Sequence, residues 1–202
     1  MLQPSSTQRL EEFNDYFQVE QTVSVNLQPF HADLPDEDGF YQLLPDAFKM
    51  TSELSALNSS SSRALTAIKD LQPELLSYLQ LQTRKIDALM HYVLRNQDDA
   101  SLRFRTFSFG GSGVRVHLDQ PAEVGQLYEL KLFLDHNEGA VFALAELIDC
   151  EAAEHGYLAR LLFRRIREDD RDLVVRASLH EQSRQLKRKA EARQAQQSQP
   201  DS

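Results

Sequence analysis

Ser108-Phe109-Gly110-Gly111-Ser112-Gly113 sets two hydroxyls among three glycines near the middle of the chain, and two chemistries use such residues. A serine nucleophile needs a sharp Gly-x-Ser-x-Gly elbow between strand and helix, and neither serine has that context. A phosphate cradle needs a following Lys-Ser/Thr and a helix N-terminus, and here the chain runs into Val114-Arg115-Val116 instead. Metal chemistry needs clustered ligands. His31, His91, His117, His136, His155 and His180 show no ligand spacing, and Cys150 is the single cysteine. The remaining enzymatic reading is a hydrolase with an unrecognised site, which requires convergent ionisable groups in a deep pocket.

The elements around this stretch read as β. Leu102, Phe104 and Thr106 alternate with Arg103, Arg105 and Phe107; after the glycines, Val114, Val116 and Leu118 alternate with Arg115 and His117. Alternation of this kind marks a strand with two unlike faces, and the glycines suit a turn with φ > 0. Further strands follow. Tyr128, Leu130, Leu132 and Leu134 share one face, Val141 to Cys150 is apolar on both, and Tyr157, Ala159, Leu161 and Phe163 share another. Gln120-Pro121, Asp135 to Gly139 and His155-Gly156 separate them. Evenly spaced strands with short connections predict an antiparallel barrel or sandwich. Upstream, Tyr16 to Phe30 reads as one strand ending near Pro29, with Phe17, Val19, Val23, Val25 and Leu27 on its buried face. Residues 1–13 read as a frayed polar start, and 31–45 as an acidic loop. Glu168-Asp169-Asp170 offers caps and negative charge for a last helix through Val175, Leu179, Gln182 and Leu186. Beyond about Lys189 the polar composition predicts fraying or disorder.

Residues 46–97 contain no glycine and read as two helices divided near Pro73. Leu65, Ile68, Gln72, Leu75, Leu79, Gln82, Ile86, Leu89 and Val93 recur in alternating steps of three and four. That is a coiled-coil seam of about four heptads. Such a helix either packs on its own sheet or pairs with other copies of the chain. A strict seam is narrower than a sheet-covering face, which favours self-association.

The net charge of −9 disfavours nucleic acid and anionic membrane as partners. Residues 1–60 hold ten acidic side chains against Arg9 and Lys49. From Arg184 to Arg193 there are five basic residues and one acidic. No secretory h-region or membrane-spanning run is visible, and one cysteine forms no internal disulfide, so a cytoplasmic location without membrane insertion is expected.

A strand, an interruption, a hairpin with Ser-x-x-Gly, three more strands and a capped helix resemble a PilZ domain. The residues that carry the resemblance are Thr106-Phe107-Ser108-Phe109-Gly110-Gly111, then Gly125-x-x-Tyr128-x-Leu130, then Phe163 to Val175 with Gln182 and Leu186. The likeness covers about 16–30 and 102–188. It implies a mainly β fold with helices: a six-stranded antiparallel β-barrel with a C-terminal helix, from a bacterial family in which many members bind cyclic di-GMP. One branch carries long helices between the first two strands and assembles as tetramers through heptad repeats, and residues 31–98 sit at that insertion point. The expected organisation is an N-terminal segment (1–15), the first strand (16–30), the helical insertion (31–98), the rest of the barrel with its helix (99–188) and a disordered tail (189–202).

Members that bind the dinucleotide resemble one another in an Arg-x-x-x-Arg before the first strand and an Asp/Asn-x-Ser-x-x-Gly in the hairpin. Arginine suits phosphate and guanine because its planar fork is bidentate and stacks. In this chain the matching positions are Asn14 and Gln18, and no Arg or Lys lies between Arg9 and Lys49. The hairpin motif becomes Thr106-x-Ser108-x-x-Gly111, so serine and glycine remain while the acid is replaced. A degenerate site is therefore expected, with no cofactor and cyclic di-GMP not favoured. Arg103, Arg105 and Arg115 are the cations available as substitutes. The resulting reading is a non-catalytic regulatory or adaptor protein of cyclic di-GMP signalling. It is expected to be a homo-oligomer, preferably a tetramer, held by Leu65, Ile68, Leu75, Leu79, Gln82, Ile86, Leu89 and Val93, with a signalling or motility protein as its partner. The alternative is an active cyclic di-GMP receptor with an altered site.

Overall fold

The computed structural model describes residues 6–51, 73–135 and 138–197. Helix α1 (Ser6–Asn14) leads into strands β1 (Gln18–Glu20) and β2 (Ser24–Phe30). Helices α2 (Glu37–Leu43) and α3 (Pro73–Arg95) follow, with residues 46–51 also helical. Then come β3 (Arg103–Gly110), β4 (Gly113–Leu118), β5 (Leu127–Leu134), β6 (Gly139–Ala152), β7 (Tyr157–Ile166) and the long α4 (Glu168–Gln197). Every strand pairing is antiparallel, in the order β1-β3-β2-β5-β6-β7-β4, and a further pairing of β3 with β4 closes the ring. Because β1 and β2 both pair with β3, they are two halves of one broken strand, and the molecule is a six-stranded barrel with helices outside it. The helical insertion lies between the first two barrel strands.

The barrel interior follows from alternation. Val25, Leu130, Leu132, Val141, Ala143, Ala159 and Leu161 are fully or almost fully buried in one cluster. Val174 and Ala177 of α4 join that cluster and close the end of the barrel at the β3–β4 turn. Outside it, the second apolar face of β6 is covered in two places. Ala140, Phe142 and Leu144 pack with Phe40, Leu44, Phe48, Leu94 and Phe133, so the insertion sits against β5 and β6. Ile148 packs with Leu162 of β7 and with Phe13 of α1. Sequence showed that β6 is apolar on both faces; these two outer clusters are the reason.

Several sequence expectations need correction. The strand expected over 16–30 breaks between Glu20 and Ser24, and Phe17, assigned to its buried face, is 49% exposed. Thr106 of β3 fills the break. Its hydroxyl accepts from Val23 N at 2.9 Å and donates to Gln21 O at 2.7 Å, satisfying backbone groups that the ladder leaves unpaired. Residues 1–13 were expected to fray, yet α1 forms because Phe13, only 3% exposed, gains a place against the barrel. The expected loop 31–45 contains α2, capped by Asp36 Oδ1 accepting from Gly39 N at 2.8 Å and held by buried Phe40. The last helix continues past Lys189 to Gln197, through Ala, Lys, Glu, Arg and Gln, all strong helix formers, with an i,i+4 pair between Lys187 and Glu191. It buries Val174, Ala177, Ser178 and Glu181, while Leu179 and Leu186 stay exposed. Leu65, Ile68, Gln72 and residues 198–202 lie outside the described residues.

The end of α3 is fixed to the barrel and the rest of it is not. Met90 and Leu94 are buried. After the helix, Asp98 accepts from Asn26 Nδ2 at 2.8 Å, Ser24 Oγ at 3.0 Å and Arg103 Nε at 3.0 Å. Burial pushes the Asp98 carboxyl up, but these hydrogen bonds and the charge of Arg103 outweigh it, so it titrates below its ordinary value. A depressed carboxyl stabilises the fold in full at neutral pH and loses that contribution as pH falls through its lowered value. Asp98→Asn should therefore lower the melting temperature near neutrality. The gap to the wild type should narrow as pH falls below about 5 and close once it has passed the carboxyl's lowered value; a gap that widens on acidification would contradict this assignment.

Candidate functional site

Gln18, Ser108 and Gly111 meet at the β3–β4 turn. β1 lies along the end of β3 with Gln18 opposite Gly110 and Glu20 opposite Ser108. The Gln18 side chain bridges the hairpin: Nε2 donates to Ser112 Oγ at 3.2 Å and to Gly113 O at 3.5 Å, and Oε1 accepts from Ser108 Oγ at 3.4 Å. Ser112 donates in turn to Phe13 O at 2.6 Å, tying the end of α1 to the turn. Two other motif positions lie elsewhere. Thr106 is fully buried in the strand break, and Asn14, the last residue of α1, is exposed and forms no hydrogen bond to the hairpin.

The space over the turn is filled by the chain itself. A Cβ on Gly111 would stand 2.4 Å from Tyr16 Cδ1 and 2.7 Å from Val175 Cγ2. Arg171, on the first turn of α4, donates to Gly111 O, and its guanidinium lies 5.7 Å from the Tyr16 ring centroid. The glycines of this turn do not have positive φ, contrary to the sequence expectation; that conformation is found at Gly125, Gly139 and Gly156. Close approach explains them instead, since a Cβ on Gly110 would meet Phe17 O at 2.2 Å and one on Gly113 would meet Leu161 O at 2.0 Å. Sequence reasoning missed Tyr16 and Arg171. Alternation from Gln18 put Tyr16 on the same outer face and was a usable signal. Arg171 carried none, because its target is a backbone carbonyl 60 residues away.

The constellation is built for packing rather than bond making. Ser108 meets a glutamine amide and Ser112 donates to a carbonyl, so neither hydroxyl has a base among the described residues. Nearby, Asp170 accepts two 2.8 Å hydrogen bonds from Arg167, yet burial still holds its carboxyl above its ordinary value. At the opposite end of the barrel a cavity of about 400 Å³ is lined by Leu27, Phe104, Leu118, Tyr128, Leu147 and Leu161, and is mostly apolar. A hollow of about 290 Å³ beside the end of α3 contains His91, Asp98, Arg105 and Asp135. Its carboxylates are engaged, Asp98 as described and Asp135 by Gln21 Nε2 at 3.1 Å. No group of three or more His, Cys, Asp or Glu able to hold a metal occurs among the described residues. No helix among them is long and apolar enough to cross a membrane.

Tyr16 as the filler of this site has a direct check. Gly111→Ala should cost about 1–3 kcal/mol in urea unfolding, the usual penalty for overpacking. In a Tyr16→Ala background the same change should cost clearly less, with the remainder due to Val175. Equal costs in both backgrounds would show that Tyr16 does not occupy the space.

The family model for the PilZ domain matches residues 82–179. The first barrel strand, cut off in sequence by the insertion, joins that stretch only in space. No curated protein matches the chain. Among solved structures, the chain is similar to a pathogenic protein from Xanthomonas campestris, described as a tetrameric PilZ domain self-assembled via an unusual helical bundle. The two share 16% identity with a TM-score of 0.56, over 92% of this chain and 99% of the other. At that identity the likeness is one of fold. Residues 82–179 match the PilZ domain family, and the closed six-stranded barrel, the helices inserted after its first strand and the helix across its end agree with a PilZ domain.

Proposed function

We propose that this chain is a non-catalytic adaptor of cyclic di-GMP signalling that self-assembles through α3, with a nucleotide site closed by its own side chains. The observation that carries the reading is the apolar surface of α3. Leu75, Tyr78, Leu81, Ile86, Leu89, Tyr92 and Val93 are all between 37% and 67% exposed. The expected seam residues Leu75, Ile86, Leu89 and Val93 are in that group, and Leu79 and Gln82 are partly exposed. Only Met90 and Leu94 are buried on the chain's own barrel. Among the described residues, the chain's own barrel therefore covers the last turns of the helix and leaves much of its apolar surface exposed. Full burial of each large aliphatic side chain is worth about 1.5–3 kcal/mol, so a row of them is a strong drive to associate. Other copies of this chain are the fitting cover, because a heptad seam complements itself. The tetrameric helical bundle of the Xanthomonas protein supports the same arrangement here.

The closed site rests on three observations: the arginine positions are Asn14 and Gln18, Gln18 bonds to both hairpin serines, and Tyr16 covers Gly111. An altered receptor is the second reading, favoured by Arg105 and Arg115 near Ser108. The two separate by calorimetry. The adaptor reading expects no heat of binding with cyclic di-GMP at micromolar concentration; saturable binding in that range would establish the receptor instead.

Self-assembly has its own test. Ile86→Glu with Leu89→Glu places carboxylates where the seam would desolvate them, at a cost multiplied over every copy. Light scattering should then report a smaller particle than the wild type, while the barrel's circular dichroism persists. An unchanged mass would place the interface elsewhere.

A further inference from the structure

Arg115 is half-buried, with one donor nitrogen that lacks an acceptor. It points outward from β4, opposite Ser108 of β3 and Arg160 of β7. Its guanidinium lies 4.7 Å from the centroid of the Phe107 ring, and Phe107 meets His117 edge-on at 5.9 Å. Its Nε is buried with no hydrogen-bond partner. The carboxylates within reach on β6 are taken, since Asp149 and Glu151 pair with Arg160 at 3.1 and 3.3 Å. Glu20, across β3 on the same row, forms no ion pair with it. Arg105, beside His117 on the same outer face, is exposed and has no carboxylate partner among the described residues. By contrast Arg103, Arg160, Arg164 and Arg167 all pair with acids. Neither Arg115 nor Arg105 pairs with a carboxylate among the described residues, although the chain's net charge is −9.

The backbone has been adjusted to make this face. The β3–β4 register shifts between Thr106 and Ser108, and Phe107 is the extra residue turned out beside Arg115. Bulges commonly re-aim one side chain at a binding surface. With its guanidinium beside the ring and its Nε buried, Arg115 keeps its terminal nitrogens for an oxyanion.

We propose that this face of β3 and β4 docks an extended acidic segment of a partner protein, with carboxylates at alternate positions received by Arg115 and Arg105. Spacing argues for the extended segment. His117, paired with Arg105, and Arg115 are two residues apart on β4, so the rows are about 6.7 Å apart, the spacing of alternate side chains in a strand. Shape argues for a protein rather than a nucleotide. The face is the outside of a sheet, and the space beside Gly111 is occupied by Tyr16 and Val175.

The test uses the full chain and a fluorescein-labelled, end-capped peptide of alternating glutamate and serine, read by anisotropy at low ionic strength. Saturable binding is expected, weakened at least about tenfold by Arg115→Met and by Arg105→Ser, as when one charge-assisted pair is lost. Arg115→Met should hold or raise the melting temperature, because methionine keeps the contact with Phe107 and removes the orphaned donor. If it instead unfolds the chain, Arg105→Ser at an exposed position decides the matter alone. Absence of saturable binding, or binding that survives these variants, would overturn the proposal. So would binding of cyclic di-GMP or inorganic phosphate, in place of the peptide, that the same variants abolish.

Discussion

The constraint on which the rest of the molecule depends is that β6 is apolar on both faces. Its inner residues Val141, Ala143, Ala145 and Leu147 fill the barrel, which leaves Phe142, Leu144 and Ile148 facing outward. A sheet face of that kind has to be covered. Two separate parts of the chain cover it, and each has a consequence beyond the cover. Phe40, Leu44, Phe48 and Leu94 bring the insertion onto Phe142 and Leu144, which anchors α3 at its end and leaves most of its length as an apolar arm. Phe13 brings α1 onto Ile148, which delivers Tyr16 and Gln18 to the hairpin. The proposed self-assembly and the proposed closure of the nucleotide site thus share one origin.

Charge reinforces the second of these. Glu146, on the outer face of β6, is only 7% exposed and is met by Arg9 of α1 at 2.5 Å and Arg164 of β7 at 3.5 Å. A buried carboxylate needs such partners, so α1 is held by an ion pair as well as by Phe13. The C-terminal helix is fixed in the same manner at the other side of the barrel's end, where Glu138 of the β5–β6 turn accepts from Arg184 at 3.2 Å. Arg171 of that helix then reaches Gly111 O over Tyr16.

Strand alternation made the barrel legible in sequence because its interior is a single apolar cluster. Tyr128, Leu130, Leu132 and Leu134 face it as expected, as do Tyr157, Ala159, Leu161 and Phe163. The helical stretch 73–95 was legible from its period as well, and its expected seam residues Leu75, Ile86, Leu89 and Val93 are exposed. Less visible were features whose cause is distant in sequence. The break after Glu20 is held by Thr106, and no local signal at 21–23 announces it. Helices α1 and α2 are too short to form on propensity and depend on Phe13 and Phe40 finding outer pockets. In the site, the motif positions located Gln18, Ser108 and Gly111 correctly as neighbours, but not Tyr16 and Arg171, whose roles depend on helices packed from both ends of the chain.

The account stands or falls on whether α3 is covered by other copies of the chain. Sedimentation equilibrium of the unmodified protein, from about one to about a hundred micromolar, measures this directly. It should give a mass of about four times the 23.1 kDa chain, with dissociation only towards the dilute end. A 23.1 kDa monomer across the whole range would mean that the apolar face of α3 is not an assembly surface, and the central claim would fail.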